Sequence, residues 1–379
     1  MQAAPTNPTT QITSAHLIDD LIPHILEAND HQWWPRDLHR FALISTGWVG
    51  PIRRRLYSCP IIRTFGACTL LAKTLRENSY ICALVQGIDL QPTNGMGRAG
   101  SRTAQELGSL RFLLNLGGLR SVTLGAELSV QAERYLHMMS NTKNITSLYI
   151  NGLVQDSSSH GASLFHHPSL EWDEVVAYKF PQLQTLRISN VSLSIIPPSL
   201  PYALNVTNLI LEDVEIVDGF LPHLFHESWD SLRKLKVVMK ASTSFDEQLR
   251  WMIECCANLQ VLHYELRGFV PHHNLFDEDM PSLRSLLTLR LGDVNVNPQC
   301  LLSIGQTCLG LAELTVFGRS VQVTPEDWIN FLHSGALPAL KTLRTVTGTN
   351  EPPFNVWDTL RTQSIVDACQ ARHIAFVSS

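Results

Sequence analysis

Charge is scarce in this sequence: Asp, Glu, Lys and Arg make up 17% of its 379 residues, against about 25% in an average globular chain. A basic excess is missing too, because 29 Lys+Arg against 34 Asp+Glu leave a net charge of −5. That excludes the electrostatic footprint of a chain that lives on nucleic-acid phosphates. No run approaches about 18 consecutive apolar residues, so no membrane-spanning helix is expected. Residues 1–14 lack both the basic and the apolar region of a secretory signal. The eight cysteines (59, 68, 82, 255, 256, 300, 308 and 369) form no C-x-x-C, and read as reduced, mostly buried thiols of a cytoplasmic and/or nuclear protein. Gly-x-Ser-x-Gly, His-Glu-x-x-His and the Walker A pattern are all absent. No catalytic residue, metal site or cofactor is expected.

What the chain has is apolar content, 44% of residues, enough at this length to bury a sizeable core. It also has a repeat. The pattern apolar-x-x-apolar-x-apolar recurs with its middle residue at Ile88, Val122, Leu148, Leu186, Leu209, Leu235, Leu262, Leu289, Leu314 and Leu343. A single match carries little information, since a chain this apolar meets three fixed positions about once in twelve sites. The spacing carries more: successive steps are 34, 26, 38, 23, 26, 27, 27, 25 and 29 residues. From Leu186 onward every step falls within the 20–29 residues of a leucine-rich repeat. The period-2 tail of each pattern predicts a strand, and Phe245–Cys256 and Pro298–Cys308 predict helices between strands. A unit of this size cannot bury its own apolar face, so stacking supplies the core. The expected fold is an α/β solenoid, a leucine-rich-repeat horseshoe of about ten irregular repeats. Gln91–Ser101 and Gln155–Ser169 read as inserted loops. One register is ambiguous, because Met280-Pro281-Ser282-Leu283 resembles the Pro-containing starts at Phe180 and Leu337.

A different segment precedes the repeats. Leu17, Ile18, Leu21, Ile22, Ile25 and Leu26 recur at helical spacing, with Ser14 placed to cap and Pro23 to kink or split the helix. Asp37 is placed to cap a second helix, Leu38–Thr46, which Gly47 ends; Ile52–Tyr57 forms a third. The predicted organisation is a tail over 1–11, a three-helix module over 12–58, a helical connector over 59–80, the solenoid over 81–350 and a cap over 351–379.

The Leu17–Leu26 helix, the stretch Asp37-Leu38-His39-Arg40-Phe41-Ala42-Leu43-Ile44-Ser45-Thr46-Gly47-Trp48 and Arg53–Leu56 together resemble the F-box family, joined to leucine-rich repeats as in many fungal proteins. The family usually opens with Leu-Pro-x-Glu, where this chain has Thr13-Ser14-Ala15-His16. The resemblance covers about 45 residues, and it implies a non-catalytic substrate receptor of an SCF-type ubiquitin ligase. The helices would dock on the Skp adaptor and through it on a cullin, while the repeats would hold an unknown protein substrate. The docking residues implied are Leu17, Leu21, Leu26, Leu38, Leu43 and Trp48. The alternative is a repeat scaffold whose degenerate F-box joins no ligase.

Residues flanking the buried leucines of each strand face outward. Among them Tyr149, Arg187, Ile210, Lys236, His263, Arg290 and Phe317 are the candidate substrate-binding set, the aromatic and apolar members being anchors. Glu212, Glu265 and Glu313 alternate with the cations, so the predicted face is mixed rather than a basic stripe. Gly95-Met96-Gly97-Arg98-Ala99-Gly100 is a literal G-x-G-x-x-G. Four residues separate it from the preceding strand-like run, and the first acid of the next unit, Glu127, lies 27 residues past Gly100. It therefore reads as a loop rather than a dinucleotide site. The histidines 160, 166, 167, 272 and 273 lack a spaced ligand set and read as polar loop residues.

Overall fold

A computed structural model describes residues 13–28, 34–93, 103–152, 168–199, 204–224, 229–240, 243–267, 283–318, 321–349 and 355–378. Gly95–Gly100 and all five loop histidines lie outside them. Among the described residues, twelve strands form one parallel sheet. In sheet order they are Ile61–Thr64, Gly87–Thr93, Ser121–Gly125, Ser147–Asn151, Thr185–Ser189, Asn208–Glu212, Lys234–Met239, Val261–Leu266, Thr288–Gly292, Glu313–Phe317, Thr342–Thr345 and Ala375–Ser378. They are called the first to twelfth strands below. Each pairs with the strand before it, so the order in the sheet is the order in the sequence, an arrangement compatible with a solenoid.

The apolar pattern explains the register. Its middle residues form one inward row, Ile88, Val122, Leu148, Leu186, Leu209, Leu235, Leu262, Leu289, Leu314 and Leu343, each directly paired with the next. All ten are buried. The third residues of the pattern, from Leu90 through Leu124, Ile150, Ile188, Leu211, Val237, Tyr264, Leu291 and Val316 to Thr345, form a second buried row. A slip by one residue would turn both rows into solvent, so burial fixes the pairing. The strand entrance repeats as well. Gln184 and Thr185 N–H both donate to Thr146 O, Thr207 and Asn208 to Gln184 O, and Leu287 and Thr288 to Gln260 O. The ambiguous register resolves at Leu286: Leu286 N–H bonds to Leu283 O as Leu183 bonds to Phe180 and Leu340 to Leu337. Leu283 is thus the buried residue of the preceding turn.

Strand exits share a corner. Ala126, Asn190, Asp213, Asp293 and Gly318, each immediately past a strand, all have φ between 49° and 103°. Asn, Asp and Gly are the residues that enter this region most readily. Past two of these corners the chain adds strands to a second, three-stranded parallel sheet, Ser169–Trp172, Ser192–Ile195 and Glu215–Asp218. Helices including Phe65–Glu77, Ala104–Leu114, Thr243–Cys255, Pro298–Thr307 and Pro325–His333 put Cys68, Leu110, Leu249, Ile304 and Trp328 into the same core as the strand rows. Burial pushes the thiols of Cys68 and Cys256 up to about 12, and those of Cys308 and Cys369 to about 11, so all four are protonated core groups.

The structure corrects several boundaries. The segment 59–80, expected to be a helical connector, contains the first strand, Ile61–Thr64, before its helix. The expected cap, 351–379, supplies the twelfth strand, Ala375–Ser378. The sheet therefore extends beyond the ten predicted units at both ends. The N-terminal helices are α1 (Thr13–Ala28), α2 (Pro35–Ala42) and α3 (Thr46–Ser58). α1 begins ahead of Ser14 and runs through Pro23 as one helix. α2 starts at Pro35 after Trp34, not at a cap by Asp37. Proline's fixed φ suits a first helical position, and Asp37 in the first turn meets the positive end of the helix dipole. α2 stops at Ala42, and Gly47 lies inside α3 rather than ending its predecessor.

Candidate interaction surfaces

Two surfaces carry the predicted residues. The first is the helical module. Ile22, Leu26, Leu38 and Ile52 form a small core of their own, against which Phe41, Ala42, Trp48 and Leu56 pack half-buried. The rings of Phe41 and Trp48 stack with centroids 5.4 Å apart and planes 25° from parallel. This divides the predicted docking set. Leu26 and Leu38 are only 3% and 5% exposed, so they hold the helices together and are not available to a partner. Leu21 and Leu43 are 51% and 76% exposed and present free apolar area. Trp48 is half-buried by Phe41, and the side chain of Leu17 lies outside the described residues. Trp34 and Ile44, 66% and 64% exposed, join the open apolar surface; neither stood among the predicted docking residues. The adjacency of Leu43 and Ile44 just past α2 was the signal that could have placed Ile44.

The second surface is the outward face of the large sheet. Six of the seven predicted residues there fall on one row, since Tyr149, Arg187, Ile210, Lys236, His263 and Arg290 are each directly paired with the next. Thr315 and Arg344 continue it. Phe317 stands on the neighbouring row, Ser189, Glu212, Val238, Glu265, Gly292 and Phe317. Tyr149, Ile210 and Phe317 are half-buried rather than fully exposed.

Charges on this face are organised by its row geometry. Glu212 accepts from Arg187 Nη2 and from Lys236 Nζ, both at 2.6 Å, and from Ser189 Oγ at 3.2 Å. Its partial burial alone would raise the carboxyl. The hydrogen bonds from Lys236 and Arg187, with their charges, prevail and hold it at about 2. The Arg187 guanidinium also covers the Tyr149 ring at 4.4 Å, so its position is fixed from two sides. Farther along, His263 Nε2 lies 3.1 Å from Glu265 Oε2. Burial, then the nearby Arg290 charge, keeps the imidazole below its usual value despite that carboxylate, so His263 is neutral at pH 7. Arg290 covers the Phe317 ring at 4.7 Å. That ring lies across Gly292, where an added Cβ would collide with Phe317 Cζ.

Among the described residues no group of three His, Cys, Asp or Glu side chains could hold a metal ion, and no helix is long and apolar enough to cross a membrane. No protein-family model matches the chain, and no curated protein matches it.

Proposed function

We propose that this chain is the substrate receptor of an SCF-type ubiquitin ligase. Its helical module docks on the Skp adaptor and through it a cullin, and the outward face of the sheet holds a protein substrate. The observation that supports this best is the division within α1–α3. A four-residue core closes the module internally, while Leu21, Leu43 and Ile44 stay exposed; the sheet separately carries a long ladder of outward side chains. The chain's contribution is proximity: fixing two proteins on one body raises their effective concentration, and other subunits transfer the ubiquitin. Such a receptor works in the cytoplasm or nucleus.

The test is co-purification of the full chain with the Skp adaptor of its own organism, beside Leu43→Asp. Because Leu43 is exposed, the variant should keep the wild-type melting curve yet lose at least about tenfold in adaptor affinity, since a buried interface charge is costly. Failure of the wild-type chain to bind overturns the ligase role and favours a repeat scaffold.

A further inference from the structure

Cations recur on alternate strands of the outward row. Arg187, Lys236, Arg290 and Arg344 occupy the fifth, seventh, ninth and eleventh strands at matching register. At about 4.8 Å per strand, neighbouring members stand roughly 10 Å apart. The strand between each pair offers one residue of the next row to the gap. Between Arg187 and Lys236 that residue is Glu212, which bonds to both. Between Lys236 and Arg290 it is Glu265, which pairs with His263. Between Arg290 and Arg344 it is Phe317, and the place of the carboxylate is taken by a ring.

A ring covers a guanidinium at both the first interval and the third, but Tyr149 reaches Arg187 from the strand outside the first, whereas Phe317 reaches Arg290 from the strand inside the third. The stacking orients the guanidinium without using its N–H groups, which leaves a planar fork for a carboxylate. Both Arg290 and Arg344 are exposed, and among the described residues no carboxylate forms an ion pair with either. Glu313, two residues before Thr315 and also exposed, forms no ion pair with either among the described residues. Among the described residues, the neighbouring row supplies an acid in two intervals and a ring in the third.

We propose that the interval between Arg290 and Arg344 is a carboxylate subsite for an acidic segment of the protein substrate. An Asp or Glu of the partner bonds there to the exposed N–H groups of Arg290 and Arg344, over the Phe317 ring rather than in its place. The subsite presupposes the sheet face as the receptor surface of the proposed function. It is tested without any ligase component, so loss of adaptor binding leaves it standing and its own failure leaves adaptor binding untouched.

The experiment is fluorescence anisotropy of the full chain with a labelled peptide of alternating Glu and Ala, its Gln-for-Glu counterpart, and a phosphoserine-for-Glu counterpart. The Glu peptide should bind about tenfold or more tightly than the Gln peptide, and should weaken as salt rises from about 0.05 to about 0.3 M. Arg290→Gln and Arg344→Gln should each weaken it about five- to tenfold, the size of one net hydrogen bond at an exposed site, with melting curves unchanged because both side chains are exposed. Lys143→Gln, exposed and outside the two outward rows, should bind as the wild type does. Equal binding of Glu and Gln peptides, or binding undiminished by either Arg substitution, overturns the subsite. Binding of the phosphoserine peptide alone overturns the carboxylate and assigns the interval to phosphate.

Discussion

Beside the four buried side chains that close the core of α1–α3, Ile22, Leu26, Leu38 and Ile52, the repeat core draws residues from all but the last of the strands and from the helices that pack on them. The small core touches few partners and leaves all four of its apolar neighbours partly wet. The large one is a row copied from strand to strand, each unit buried by the next. A module of three short helices is too small to be very stable alone, whereas a stack gains an interface with every unit added. A surface meant to be covered by another protein fits the first kind of core, and a rigid ruler of outward side chains fits the second.

Breaking the large core should have the largest effect. Leu209→Asp removes roughly 1.5–3 kcal/mol of burial and leaves an unpaired charge in the centre of the inward row, which costs several kcal/mol more. Against a total stability of about 5–15 kcal/mol, the sheet should unfold, as seen by loss of the circular-dichroism melt. An unchanged melting curve would remove Leu209 from the core. Leu26→Ala should cost about 2–5 kcal/mol within the module but leave the main melting transition in place. Limited proteolysis should then cut within 13–58 first. An equal drop of the main transition would show that the two cores melt as one. The smallest effect belongs to Glu212→Gln. The folded carboxyl is held at about 2, below the usual 4.5, so its contribution is present above pH about 4.5 and lost as pH falls toward 2. The wild type should melt above the variant at pH 7 and converge with it on acidification. The difference should be about 1 kcal/mol or less, because Arg187 and Lys236 are 39% and 36% exposed and solvent screens them.

The strand rows were legible because each middle leucine must be buried from both neighbours. The terminal strands escaped for the same reason in reverse. In the first strand Ile62 pairs with Leu90, so the middle position falls on Pro60, ahead of the strand, and in the twelfth the third position, paired with Thr345, is the exposed Ser378. With a neighbour on one side only, these positions need not be apolar. The outward face was legible as a set of residues but not as a circuit. Nothing in the spacing says that Glu212 ties two cations together while Phe317 stands where a third acid would. In the helical module, helical periodicity marks apolar residues without saying which face meets which helix, so Leu26 and Leu38, turned inward, could not be told from Leu21 and Leu43, turned out.

The corners at Asn190, Asp213 and Asp293 carry one more consequence. Each donates its N–H to a carbonyl at the end of the following strand, Glu212, Val238 and Phe317, at 2.7–2.9 Å, so the ladder is clamped at its exits. The step from Leu148 to Leu186 spans 38 residues and the next, to Leu209, spans 23, yet both pairs meet without a shift. Length is absorbed entirely outside the clamps. Insertions there can be gained or lost freely while the pitch of the outward rows stays constant, which lets such a protein acquire new loops over generations without moving the side chains of that face.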